Sequence, residues 1–133
     1  MDNNLSILGI AKKAGKIAIG EENVSGAVRR GNARLILSAS DASERSRRHA
    51  AGYGVLSVAV PYTRSELGSV LGMGEPGIAA ITDTGFAALF AKKLAQLDAE
   101  QYAKTADQLA ELEAKLRSGK ARKNARSSAP GGA

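Results

Sequence analysis

Residues 1–97 switch repeatedly between helix-like and strand-like hydrophobic spacing, with single glycines or short polar turns at the switches. No segment in this region is long enough to bury its apolar side alone. Helices and strands must therefore pack on each other as layers, which points to an α/β domain with helices on both faces of one sheet. The aromatic content is only 4% with no Trp, so the core has to be assembled from Ala, Val, Ile and Leu.

The expected elements follow from their end signals. A first helix covers 3–14, with Asn3 or Asn4 as its cap, Leu5, Leu8 and Ala11 as its apolar stripe, and Gly15 as its stop. Lys16 to Ile19 forms a short strand. Gly20 opens a second helix whose first turn carries Glu21 and Glu22, acids favoured by the helix dipole. Arg34 to Ala39 is apolar enough for a buried strand. Asp41 with Glu44 has capping-pair spacing for a third helix over 42–51. Val55 to Val60 is a strand stopped by Pro61, and Thr63 with Glu66 is a capping box for a helix over 64–71. Met73, Gly74, Glu75, Pro76 and Gly77 form a turn-rich loop before a last strand, Ile78 to Thr82. Asp83 or Thr84 caps the closing helix. Some connections are too short for regular crossovers between parallel neighbours, so the sheet is expected to be mixed.

The closing segment is long. Phe86, Leu89, Phe90, Leu94 and Leu97 make one apolar stripe, and Leu109, Leu112 and Leu116 make another. No Gly or Pro lies between Phe86 and Arg117. An unbroken helix there would span ~50 Å, beyond the ~25–35 Å of a domain this size. The far half must protrude, bend back or meet a partner. Residues 1–97 are thus taken as the domain, 98–117 as a helical extension, and 118–133 as a basic, disordered tail.

Positive charge is concentrated at the end of the extension and in that tail. The 19 Lys and Arg outnumber the 13 Asp and Glu, giving +6. Lys115, Arg117, Lys120, Arg122, Lys123 and Arg126 occupy one stretch without an acid, and apart from them the basic and acidic residues balance at 13 each. Such a tail either attracts a polyanion or simply solubilises the chain.

Several chemistries are excluded. There are no cysteines and one histidine, which removes disulfide scaffolds, thiolate zinc, iron–sulfur clusters, thiol nucleophiles and a histidine metal cage. Gly9 to Lys16, GIAKKAGK, fails as a phosphate loop because its glycines are wrongly spaced and Ile17 stands where Ser or Thr should be. His49 follows Asp41 by two turns among Arg45, Arg47 and Arg48, with no marked nucleophile. A non-enzymatic protein without cofactor or metal is expected. No apolar run reaches the ~20 residues a bilayer span requires, and the N-terminus lacks signal-peptide character, so no membrane role and a cytoplasmic location are expected.

Two places suit RNA. The turn at Gly20 leaves backbone N–H groups at a helix start, where a phosphate can sit; it is alternatively only a corner. The loop Met73–Gly77 offers small and apolar surface to a ribose or unstacked base, or is a routine connection.

The run LGIAKKAGKIAIGEENVSGAVRRGNARLILSASDAS, then YGVLSVAVPYTRSELGSVLG and AAITDTGFAALFAKKL, resembles the ribosomal-protein L-seven-Ae family of kink-turn RNA binders, nearest its small bacterial YlxQ-like branch. The resemblance covers residues 5–97. It implies a three-layer α-β-α sandwich around a mixed four-stranded sheet. It also implies RNA contacts from the loop opening the second helix and the loop before the last strand. Gly20 matches the family's glycine. Glu22 and Asn23 occupy positions where kink-turn readers carry Asn then Glu, while Ile19 and Gly26 stand where lysines are usual. Asp41 matches a family Asp, as a cap or a contact, and Met73–Gly77 matches by position.

The implied function is binding of structured RNA, ribosomal or kink-turn, by a ribosome- or translation-associated protein. Lys16, Gly20, Glu21, Glu22, Asn23, Arg30, Asp41 and Met73–Gly77 are the candidate contacts. The rival is a protein-interaction module that uses the long C-terminal helix.

Overall fold

Four short strands set the frame. A computed structural model describes the backbone of residues 3–128 and the side chains of residues 4–116. In chain order the elements are α1 (Asn3–Lys13), β1 (Ile17–Ile19), α2 (Glu21–Arg29), β2 (Leu35–Ser38), α3 (Glu44–Gly52), β3 (Ser57–Ala59), α4 (Arg64–Leu71), β4 (Ile78–Ile81), α5 (Thr84–Leu97) and α6 (Ala99–Ser128). Every residue of β2 and β4 is buried, so these two occupy the middle of a sheet ordered β1-β4-β2-β3. The sheet is mixed, as the short connections require. β2 pairs parallel with β3 and antiparallel with β4, and β1 is antiparallel to β4.

Side-chain alternation sorts the apolar residues between two faces. Leu35, Leu37, Ile81 and Ile19 meet Leu5 and Leu8 of α1, Leu67 and Leu71 of α4, and Phe90 and Leu94 of α5. On the other face, Ile36, Ile78 and Ala80 meet Val24 and Ala27 of α2 and Ala50 of α3. The result is three layers, helix–sheet–helix. The second interface is lined largely by alanine, which lets α2 and α3 lie close to the strands without aromatic filler.

The caps explain most boundaries. Thr63 and Glu66 complete their capping box at the start of α4, and the Asp83 carboxylate accepts the Phe86 N–H at 2.9 Å at the start of α5. One expected pair is different. Ser43, not Asp41, caps α3, its hydroxyl accepting the Ser46 N–H at 3.1 Å. Asp41 instead accepts the Arg64 N–H at 2.8 Å, at the first turn of α4.

The closing segment bends back at Asp98. This residue has φ −151° and ψ 88°, and its carboxylate accepts the Gln101 N–H at 3.2 Å. It therefore ends α5 and caps α6, the break that no Gly or Pro announced. In α6 the Tyr102 hydroxyl donates to the Ala59 carbonyl at 2.6 Å, on the edge strand β3, and Leu109 is fully buried in the larger core. Two members of the expected α5 stripe, Leu89 and Leu97, are exposed, because the far wall of α5 is left to α6 and solvent. The helix α6 continues to Ser128, through much of the stretch expected to be irregular; Ala, Lys and Arg are strong helix formers. Residues 129–133 lie outside the described residues. No described helix is long and apolar enough to cross a membrane.

Candidate nucleic-acid interface

The topology gathers four connections at one end of the sheet. β1, β2 and β3 run in one direction and β4 in the other, so the turns after β1, β2 and β3 and the loop before β4 converge. Backbone bonds join them: Gly20 N–H to the Ile78 carbonyl at 3.0 Å, Ala39 N–H to Gly77 at 2.9 Å, and Ser40 N–H to Tyr62 at 2.8 Å. The Gly20 turn and the end of the loop Met73–Gly77, more than 50 residues apart in sequence, are therefore neighbours, as a joint RNA surface requires.

Gly20 is the residue before α2, with φ 89° and ψ 160°, a conformation side-chain-bearing residues rarely adopt. No side chain caps the helix here, and a Cβ on Gly20 would meet nothing within 4 Å. The first-turn amides of α2 thus open outward, the geometry in which a helix start receives an anion.

The acids flanking this opening are unequal. Glu21 is turned toward α3: Ser46 Oγ donates to one carboxylate oxygen at 2.9 Å, and His49 Nδ1 lies 2.6 Å from the other. The His49 hydrogen bond holds the Glu21 carboxyl below its usual range, against the opposing effect of partial burial. Glu22 is exposed. The Asn23 amide folds back and donates to the Ile19 carbonyl at 2.9 Å, so this side chain closes the strand end.

The remaining candidates divide. Asp41 is engaged by α4, its carboxyl lowered chiefly by the Arg64 backbone N–H. Met73, Gly74 and Glu75 are exposed, whereas Pro76 is buried and holds the loop down. A Cβ on Gly68 would overlap the Gly74 carbonyl, so α4 and this loop are pressed together by a glycine contact. Lys16 and Arg30 are not brought to this end. Lys16 precedes β1 and Arg30 follows α2, and both line a cleft at the opposite end of the sheet.

The cations actually near the Gly20 end come from α3 and α4. Arg45 is close enough to favour the charged form of Glu21. Arg47 donates to the Ser40 carbonyl at 2.6 Å, and Arg64 Nε lies 3.7 Å from the Asp41 carboxylate. The dense basic run at 45–48 was the available signal. What tied it to Gly20 was the packing of α3 beside α2, which spacing along the chain does not reveal.

No family model matches the chain, and no curated protein matches it. Among solved structures it is similar to a protein of unknown function from Bacillus halodurans C, with 29% identity and a TM-score of 0.61, over 68% of this chain and 95% of that one. It is also similar to the Giardia lamblia 15.5kD RNA binding protein, with 20% identity and a TM-score of 0.54, over 70% of this chain and 85% of that one. These likenesses agree with the α/β fold and its mixed four-stranded sheet.

Proposed function

We propose that this chain is a non-enzymatic RNA-binding protein, associated with the ribosome or translation in the cytoplasm, that takes structured RNA at the Gly20 end of its sheet. The observation that carries this is the outward-opening, uncapped start of α2, joined through the Gly20–Ile78 backbone bond to the strand that the loop Met73–Gly77 leads into. A distorted RNA strand would place a phosphate at the α2 amides and an unstacked nucleotide against Met73, with Arg45 and Arg64 supplying charge. With Glu21 bonded to His49 and Ser46, Glu22 and Glu75 are the exposed acids left on the candidate turn and loop. The similarity to the Giardia lamblia 15.5kD RNA binding protein supports the RNA assignment. A kink-turn target is the form that the family resemblance suggests.

A second function, as a protein-interaction module, is favoured by the α5–α6 hairpin. Leu89, Leu112 and Leu116 remain partly exposed there, and Leu89 lines a groove of about 590 Å³ together with Ala88, Ala106 and Ala110. Mobility-shift assays on a kinked stem and a plain duplex, across a salt series, with the full chain and a 1–114 truncation, separate the two. Preference for the kinked stem that survives truncation supports specific recognition. Absence of binding at low salt favours the interaction module.

A further inference from the structure

The two ends of the sheet carry opposite charge. Glu21, Glu22, Asp41, Glu44, Glu66 and Glu75 lie at the Gly20 end, where Arg45, Arg47, Arg48 and Arg64 only partly offset them. At the other end stand Lys12 and Lys13 in the last turn of α1, Lys16 before β1, Arg29 and Arg30 closing α2, and Arg34 before β2. Of the carboxylates near that end, Asp83 accepts the Phe86 N–H, and Glu113 lies beside Gly85 at the start of α5. The salt bridges His49–Glu21 and Arg64–Asp41 involve none of these six cations.

Helix dipoles account for part of this arrangement, since α1 and α2 both end here and cations favour helix C-termini. They do not account for Lys16 and Arg34, which lie on the strand side of the loops. Lys16 and Arg30 also share a cleft of about 390 Å³ with Asn32 and Thr82, adding neutral polar groups between two charges. Arg34 reaches over to the Gly31 carbonyl at 2.9 Å, which fixes a third guanidinium beside the same turn.

We propose that this Lys16–Arg30 end is a second RNA-binding surface, one that holds backbone phosphates of a double-helical segment without reading its sequence. It rests on the RNA assignment made above but on different residues. The Gly20 end discriminates among RNA shapes, and the opposite end supplies attraction that its partly acidic counterpart lacks. Polar lining suits phosphate better than a bilayer, which would need apolar side chains to insert.

The test compares three full-length proteins on a plain 20-base-pair RNA duplex and on a kinked stem across a salt series: wild type, a Lys16→Glu/Arg30→Glu double variant, and a charge-matched Lys92→Glu/Lys104→Glu control on the exposed α5–α6 surface. Circular dichroism confirms that each is folded. Each lost phosphate contact lowers the salt-dependence slope by about 0.9. The double variant should lose at least tenfold in duplex affinity and flatten the slope by about two contacts' worth, with its preference for the kinked stem unchanged and the control near wild type. Equal losses in the double variant and the control would overturn the proposal, because net charge would then suffice. So would wild-type binding to phosphatidylserine vesicles with none to the duplex. Loss of the kinked-stem preference in wild type, with the double variant still selectively weakened on duplex, would defeat the function proposed for Gly20 and leave this surface standing.

Discussion

His49 and Glu21, 28 residues apart in sequence, meet at 2.6 Å and fasten α3 to the first turn of α2. Ser46 secures the second carboxylate oxygen. This contact turns an acid away from the opening at Gly20 and sets the position of the basic α3 helix beside it.

Glu21→Gln should lower stability by about 0.2–1 kcal/mol, a small loss because both side chains are partly solvated. It should also change the acid limb. The Glu21 carboxyl lies below its ordinary value of 4.5, chiefly through the His49 hydrogen bond. Its contribution is therefore complete above pH 4.5 and is lost as pH falls through the lower, folded value. Urea midpoints measured from pH 6 down to pH 3 should fall less steeply in Glu21→Gln than in wild type.

Gly68→Ala should disturb the loop on the candidate interface. The added methyl would overlap the Gly74 carbonyl, so α4 and the loop must separate. A cost of about 1–3 kcal/mol is expected for such overpacking. Hydrogen exchange should show faster exchange across 72–77 and little change in α2.

Tyr102→Phe and Leu109→Ala test how α6 is held. Tyr102 bonds the Ala59 carbonyl, and burial, followed by the Asp98 charge, pushes its phenol above the usual range. Removing the hydroxyl should cost about 0.5–1.5 kcal/mol. Truncating the fully buried Leu109 should cost about 2–5 kcal/mol. Thermal or urea unfolding of each variant measures both, and a near-zero effect of Leu109→Ala would show that α6 does not dock as described.

The elements were largely legible because their ends carry local chemistry. The Thr63–Glu66 box, Gly15 and Gly72 after helices, and Pro61 after a strand each act through their own backbone neighbourhood. Three features were not legible, for related reasons. Asp41 and Ser43 are both competent caps, and only the approach of α4 decides that Asp41 serves Arg64. Asp98 could break the long helix only because Leu109 had a core to return to. The separation of Lys16 and Arg30 from Gly20 follows from strand direction, and three-residue strands do not announce their pairing order. The candidate site was thus readable as a glycine turn and a loop, but its cations and the His49–Glu21 lock depended on tertiary packing.

Gly20→Val bears most directly on the central claim. The residue sits at φ 89° with open space where a Cβ would go, so substitution adds backbone strain of about 1–3 kcal/mol and covers the α2 amides without forcing a clash. The decisive measurement is the ratio of Kd values for a kinked stem and a plain duplex, taken at one salt concentration for folded wild type and Gly20→Val. The expected result is a kinked-stem preference in wild type that falls at least tenfold in the variant while duplex binding holds. An unchanged ratio in the variant, or no preference in wild type, would contradict the assignment of RNA recognition to this end of the sheet.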